Sequence, residues 1–327
     1  MAKVFSTHPV HRDVEHMLKS ICNLQVASSP DQQTIMAEGL QADVILVSAP
    51  IPQAYFSQAT QLRAAVRHGT GLDMIPMQAA TQAGVIVANA PGANAASVAE
   101  YVIFTAIGLL RRFRQTDAAL RQTGWQAGRA FSDQAHDLGG RRLGIVGFGN
   151  IGRALASLAQ AFGMPVAATT RRPTTLPANV QPMGLDDLVA HCDVLVLCCP
   201  LTEATRGLIS AAQIARMKPE ALLINVARGP LIDTQALIAA LAARRIGGAA
   251  LDVFDVQPLP PDHPLFGFDN VILTPHVAAL TDESMYRMGE TSAQEVGRIL
   301  AGEFPLNFCN PEVKPLYRRR FPVRKTG

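Results

Sequence analysis

Three glycines, Gly147, Gly149 and Gly152, have the spacing that lets a main chain close around a pyrophosphate. Gly147 permits a tight turn, Gly149 lets the backbone approach an anion, and Gly152 lets a helix lie close on its strand. Glycines at this spacing arise by chance, so their surroundings decide their meaning. Here the string from Gly147 through Phe148, Gly149, Asn150 and Ile151 to Gly152 directly follows the apolar run LGIV. It directly precedes the helical run RALASLAQAFG. Strand, turn and helix arrive in the order a dinucleotide site needs, with the helix N-terminus offering N–H donors. The competing reading is a glycine turn that serves only the fold.

The next strand, Val166–Thr169, ends where an acid would hold an unmodified ribose. Thr170, Arg171 and Arg172 stand there instead. A carboxylate would repel a 2′-phosphate, whereas a hydroxyl and two guanidinium groups attract it. The expected cofactor is therefore NADP(H), with NAD(H) as the alternative. Two solvated surface arginines are the plainer explanation.

These residues need a scaffold, and short β-rich runs alternate with helical ones nearly throughout. Strands are expected at Lys3–Ser6, Asp43–Ser48, Ala64–Arg67 and Val85–Asn89, with helices at His11–Ser20 and Gln32–Gly39 between them. A long helix should begin near Ser97, where Ser97 and Glu100 have capping-box spacing ahead of the apolar run Tyr101–Leu110. Arg111, Arg112 and Arg114 then suit its C-terminal dipole. A loop holding Trp125, Gly128 and Phe131 leads to Leu143–Val146. Further apolar strands follow at Val194–Leu197, Ala221–Val226, Ala249–Val253 and Val271–Leu273, expected to be helix-covered on both faces. A last helix, about Glu283–Leu300, has no strand after it and could return to the first domain. The fold class is α/β: two Rossmann-like or flavodoxin-like parallel-sheet domains, the nucleotide domain inserted in the substrate domain. The expected division is 1–98 plus 283–327 for substrate and 99–282 for the dinucleotide.

At 327 residues, 48% hydrophobic and 17% charged, the chain suits two globular cores and not a disordered segment. No run is long and apolar enough to span a bilayer, and MAKVFSTHPVHRD lacks a signal-peptide core. Cys22, Cys192, Cys198, Cys199 and Cys309 have neither disulfide-framework nor zinc spacing. Reduced thiols, a cytoplasmic location and no metal are the expectation. The final ten residues contribute Arg318, Arg319, Arg320, Arg324 and Lys325 and no acid; subtracting those five from the net +3 leaves −2. This tail reads as a solvated terminus, and nucleic acid is not the expected partner.

Several blocks then resemble one family, the D-isomer-specific 2-hydroxyacid dehydrogenases. They are Gly69-Thr-Gly-Leu-Asp73, Asn94 with Ser97-Val-Ala-Glu100, the glycine fingerprint, Cys199-Pro-Leu-Thr202, Asn225-Val-Ala-Arg-Gly229, Leu251-Asp-Val253 and Thr274-Pro-His276. They occur in the family's order over most of the chain. Arg228 sits just past the strand ALLINVA, at the end that faces the cofactor crevice. The resemblance implies that Arg228 binds the carboxylate and keto oxygen of a 2-keto acid and stabilises negative charge. It implies that His276 is the proton donor, a role suited to imidazole near neutrality. It places backbone N–H groups of Thr70 and Gly71 on the substrate carboxylate, Asn94 beside the substrate, and Asp252 on the nicotinamide carboxamide. Cys199, Pro200 and Ala227 are implied cofactor contacts. His68, beside the glycine loop, could face substrate but is read as a loop residue; His263 is read as structural.

One position departs from the family pattern. Most members carry a glutamate where this chain has Gln257, two residues after Asp255. An amide beside the histidine lacks the charge that favours imidazolium, so reduction should fall off at lower pH than in relatives. Formate dehydrogenases, a branch of the same superfamily, carry glutamine there and need no proton transfer; Asn94 is shared with them. Asp255 could partly substitute for the missing carboxylate. The leading expectation is an NADP(H)-dependent 2-keto acid reductase, with glyoxylate and hydroxypyruvate as candidate substrates. The alternatives are a formate-dehydrogenase-like enzyme and a dinucleotide-sensing protein without turnover. The apolar helix after Ser97 suggests a homodimer through the nucleotide domain.

Overall fold

The computed structural model describes residues 1–322 and divides the chain into two compact units. One comprises Met1–Asn94 with the segment from Leu280 onward; the other is Ala95–Ala279. The changeovers therefore fall a few residues before the expected 98/99 and 282/283. The cause is local. The long helix starts at Ala95, so Ser97 is buried inside its first turn and does not cap it.

In the first unit, β1 (Lys3–Ser6), β2 (Asn23–Val26), β3 (Val44–Val47), β4 (Ala64–Arg67) and β5 (Ile86–Ala88) form a sheet of order β2-β1-β3-β4-β5. Every pairing is parallel. Strand β2 was not expected, because an edge strand reading NLQV lacks the apolar run that marks β3. Alternation divides the core between two faces: Ile45, Val47 and Ala65 on one, Val44, Leu46 and Val66 on the other. The helix Asp282–Leu300 covers the second face, burying Ala293, Val296 and Ile299 with Val14 and Leu18. Each buried Val, Leu or Ile among these contributes roughly 1.5–3 kcal/mol, so this returning helix is part of the core.

In the second unit, β6 (Leu143–Val146), β7 (Val166–Thr169), β8 (Val180–Pro182), β9 (Val194–Leu197), β10 (Leu222–Asn225), β11 (Gly248–Leu251) and β12 (Val271–Leu273) are ordered β12-β11-β10-β9-β6-β7-β8. The strands are again all parallel. Edge strand β8, with only Val180 buried, also escaped the sequence pattern. Leu195, Leu197 and Leu223 face one helical layer; Ile145, Val196 and Ile224 face the other. The strand order reverses between β6 and β9, which opens a crevice at the carboxyl ends of those two strands.

The apolar helix spans Ala95–Leu110 and ends there, because Arg112 takes a left-handed backbone (φ +50°) that starts a new helix, Phe113–Thr123. Arg114 thus belongs to that second helix. The expected loop around Trp125 is instead helical, Trp125–Arg129 followed by a 3-10 turn at Ala130–Gln134. Phe104, Phe113, Leu120 and Trp125 project from this region into solvent.

The basic tail is only partly a solvated terminus. Lys314–Arg320 is a helix, and Arg320 donates to the Ala83 carbonyl and, at 2.8 Å, to that of Thr60. Tyr317 is buried among Phe304 and Phe321. Arg324 and Lys325 lie outside the described residues. Among the described residues no helix is long and apolar enough to cross a membrane, and no His, Cys, Asp or Glu cluster could hold a metal.

Candidate active site

The glycine turn begins where β6 runs out at the strand-order reversal. Gly147 has φ +94°, and a Cβ there would lie 2.8 Å from the Cys199 backbone after β9. A Cβ on Gly152 would lie 2.6 Å from the Gly147 carbonyl, so helix and turn meet backbone to backbone. Gly149 differs: nothing stands within 4 Å of where its Cβ would be. The helix Asn150–Ala161 begins immediately after it with no side-chain cap. Asn150 and Ile151 therefore present first-turn N–H groups beside an open approach, the donor set that fits a pyrophosphate.

Beyond β7, the Thr170 hydroxyl accepts from the Arg172 N–H at 3.4 Å. Arg171 and Arg172 are exposed, and no carboxylate among the described residues pairs with either. The end of β7 thus carries two exposed guanidinium groups. Burial pushes the Cys198 and Cys199 thiols upward, which makes them packing groups and not nucleophiles. All five cysteines are free thiols.

Two further strand ends carry the candidate catalytic residues Arg228 and His276. At the end of β10 the buried Asn225 amide donates to the Arg228 carbonyl at 2.9 Å and accepts from the Ala227 N–H at 3.0 Å. This clamp shapes the turn from which Arg228 projects, its Nη1 donating to the Ala227 carbonyl at 2.6 Å. Gly229 admits no side chain there: a Cβ would fall 2.0 Å from the Phe254 carbonyl carbon.

His276 follows β12 with φ +59°, a left-handed backbone that costs a non-glycine residue about 1–2 kcal/mol. What holds it is Asp252, just past β11 and only 1% exposed. The His276 N–H donates to the Asp252 carbonyl at 2.8 Å. The Asp252 carboxylate accepts from the Thr274 hydroxyl (2.7 Å), the Val277 N–H (2.8 Å) and the Ala278 N–H (2.9 Å). Tyr101, from the long helix, reaches the Thr274 hydroxyl at 2.5 Å. The carboxamide role implied for Asp252 must share a carboxylate already engaged with this turn.

The His276 imidazole places Nδ1 at 3.4 Å from Oε1 of Gln257, whose Nε2 donates to the Phe254 carbonyl at 3.3 Å. That second bond turns the amide oxygen toward the ring, so Nδ1 carries the hydrogen and donates. Asp255 accepts from the Thr234 hydroxyl at 2.8 Å, and it is Gln257 that meets the imidazole. A cavity of about 530 Å³ opens beside this pair, walled by Phe254, Pro258, Leu259 and Phe266.

In the first unit the glycine loop after β4 is held by its carbonyls. Arg67 donates to those of Gly71 (3.0 Å), Val47 (2.8 Å) and His68 (2.5 Å), and Asn89 donates to that of Thr70 at 2.9 Å. Among the described residues neither the Thr70 nor the Gly71 N–H meets an acceptor, leaving two donors for an anion. The Thr70 hydroxyl donates to the Ala90 carbonyl (3.1 Å) and lies 3.4 Å from Oδ1 of Asn94.

His68 is buried under this loop, and its Nε2 has no hydrogen-bond partner. Burial first, then the Arg67 charge, pulls its pKa from 6.5 to about 4. The unfolded chain therefore takes up this proton before the folded one does. No penalty applies above pH 6.5; the fold loses stability as pH falls toward 4, by roughly 3 kcal/mol from this group. Melts between about pH 7 and about pH 4.5 should show His68→Gln losing less stability than the wild type. Equal losses would contradict a neutral buried imidazole. His263 caps the short turn Pro264–Gly267, accepting from the Leu265 N–H at 3.3 Å.

Sequence reasoning did not single out Tyr101, Thr274 or Arg67. Tyr101 had one visible signal, a phenol opening a largely apolar helical run.

The sequence profile described as D-isomer specific 2-hydroxyacid dehydrogenase, NAD binding domain, matches residues 103–278, more than half of the chain. The protein belongs to the D-isomer-specific 2-hydroxyacid dehydrogenase family. It is an oxidoreductase of that family, and its cofactor is a nicotinamide dinucleotide. A glyoxylate reductase of Thermofilum pendens is 35% identical over 323 residues, covering 95% of each chain. The D-3-phosphoglycerate dehydrogenase of Methanocaldococcus jannaschii is also 35% identical, over 95% of this chain, which spans only 60% of that enzyme's length. Among solved structures, an NADPH-dependent glyoxylate/hydroxypyruvate reductase of Sinorhizobium meliloti, complexed with NADP and malonate, superimposes with a TM-score of 0.83. It shares 27% identity and covers 94% of this chain and 96% of its own.

Proposed function

We propose that this dehydrogenase reduces a small 2-keto acid, such as glyoxylate or hydroxypyruvate, to the D-2-hydroxy acid, with NADP(H) as preferred dinucleotide. The observation that carries this reading is that Arg228 and His276 follow the carboxyl ends of β10 and β12 on one sheet edge. Only β11 intervenes, so their strands are about 10 Å apart. The T. pendens and S. meliloti relatives are named for such substrates.

A bound reduced nicotinamide supplies a hydride to the keto carbon. Arg228 binds the carboxylate and keto oxygen and neutralises charge growing on that oxygen. Gln257 occupies the Nδ1 side of His276. Proton delivery to the oxygen is thereby assigned to Nε2, and hydride plus proton complete the alcohol. Within the first unit, the Thr70 and Gly71 N–H groups anchor carboxylate, with Asn94 beside them. The glycine turn, with Cys199, Pro200 and Ala227, lines the dinucleotide. Thr170, Arg171 and Arg172 take its 2′-phosphate.

Exposed Phe104, Phe113 and Trp125 favour a homodimer formed through the second unit. Free thiols favour the cytoplasm.

The test is NADPH oxidation across a panel of 2-keto acids, with formate plus NAD(P)+ alongside. Turnover of glyoxylate or hydroxypyruvate is expected. Formate oxidation without keto-acid reduction would favour the branch that Gln257 resembles. No turnover at all would favour a dinucleotide sensor. The arginines are tested together: Arg171→Ala with Arg172→Ala should raise KM for NADPH about 10- to 100-fold and barely change that for NADH. Equal effects on both dinucleotides would remove the 2′-phosphate assignment.

A further inference from the structure

We propose that Tyr101 is a positioning residue for His276, acting through Thr274 and Asp252; the inference rests on the reading of His276 as proton donor. A carboxylate only accepts, so the Thr274 hydroxyl must spend its hydrogen on Asp252 Oδ1 at 2.7 Å. The Tyr101 hydroxyl must then donate to Thr274 Oγ1 at 2.5 Å. The direction of the whole chain is fixed: Tyr101 to Thr274 to Asp252. Asp252 in turn holds the Val277 and Ala278 N–H groups and, through its carbonyl, the N–H of His276. Thr274, His276, Val277 and Ala278 thus all hang on one residue, Asp252. The Tyr101 hydroxyl reaches this turn from the long helix, outside the β11 and β12 strand ends.

The helix carrying Tyr101 is itself packed on the sheet. Val102 and Ala106 share a core cluster with Ile224 and Ala250, and Ile272 packs against the same group. Tyr101 is half-buried, and burial pushes its phenol up to about 12, so it stays a protonated donor through the working pH range. A phenylalanine would fill the same space in the apolar run but would leave Thr274 free to rotate away from Asp252. The His276 backbone, left-handed at φ +59°, would lose one of its restraints.

The test compares Tyr101→Phe, Thr274→Val and Thr274→Ser with the wild type. Tyr101→Phe should lower kcat for keto-acid reduction about fivefold, with KM and dinucleotide affinity little changed. Thr274→Val, which strands two partners, should lower it by roughly another order of magnitude, and Thr274→Ser should restore most of it. The imidazole resonances of His276, assigned with His276→Asn and followed by NMR across a pH titration, should move in Tyr101→Phe. A Tyr101→Phe protein with wild-type kcat, pH profile and His276 resonances overturns the proposal, even if it melts lower. Should the wild type reduce no keto acid, the reading of the reaction fails separately, and the His276 resonances alone decide whether Tyr101 positions the ring.

Discussion

His276→Asn should lower keto-acid reduction by about 10²- to 10⁴-fold while leaving dinucleotide affinity intact. The alkoxide forming at C2 has a proton acceptor's strength far above that of water, and the positioned imidazole is the group that quenches it. Asparagine can still hydrogen-bond but cannot release a proton, so binding and chemistry separate. Stopped-flow measurement of the hydride step, alongside fluorescence titration of NADPH, checks this. A drop below tenfold would remove His276 from proton delivery. Gln257→Glu is the companion variant. A carboxylate placed at the 3.4 Å contact with Nδ1 favours the imidazolium, so the alkaline limb of the reduction profile should move to higher pH. The sign follows from the reaction, which needs the protonated donor. An unchanged profile would show that Gln257 does not govern this titration.

Arg228→Ala should be comparably damaging, with kcat/KM falling about 10²- to 10³-fold or more. The guanidinium serves both substrate binding and the growing negative charge, so KM should rise and kcat fall together. Arg228→Lys keeps the charge but not the planar fork, and should recover only part of the loss. Because Asn225 holds the turn through the main chain and not through the guanidinium, both variants should melt near the wild type. Added guanidinium ion restoring turnover to Arg228→Ala, but not to His276→Asn, would confirm the division of labour. A variant that binds and reduces substrate normally would dismantle it.

Much of this was legible in the sequence for physical reasons. LGIV and VLVL are apolar at every position, and LLIN at all but its final Asn225, because helices cover both faces of their sheet. The glycine turn is legible because each of its crowded positions excludes a Cβ for steric reasons that any dinucleotide cradle shares. Edge strands β2 and β8 were hidden, since half-exposed strands lose the apolar signal. The stretch around Trp125, Gly128 and Phe131 looks like a loop because it is too short and glycine-broken to show a helical stripe, yet it folds as a short helix and a 3-10 turn. The support of His276 was the least legible part. Tyr101 and Thr274 stand 173 positions apart, and only the crossover topology of a parallel sheet brings them into contact.

The bare backbone at Gly229 has a mechanical meaning. Residue 229 abuts the Phe254–Asp255 peptide so closely that a single methyl would not fit between them. The segment bearing the guanidinium and the segment leading to Gln257 therefore pack backbone to backbone. The spacing between the cation and the amide that meets the imidazole is thus set by main chain against main chain.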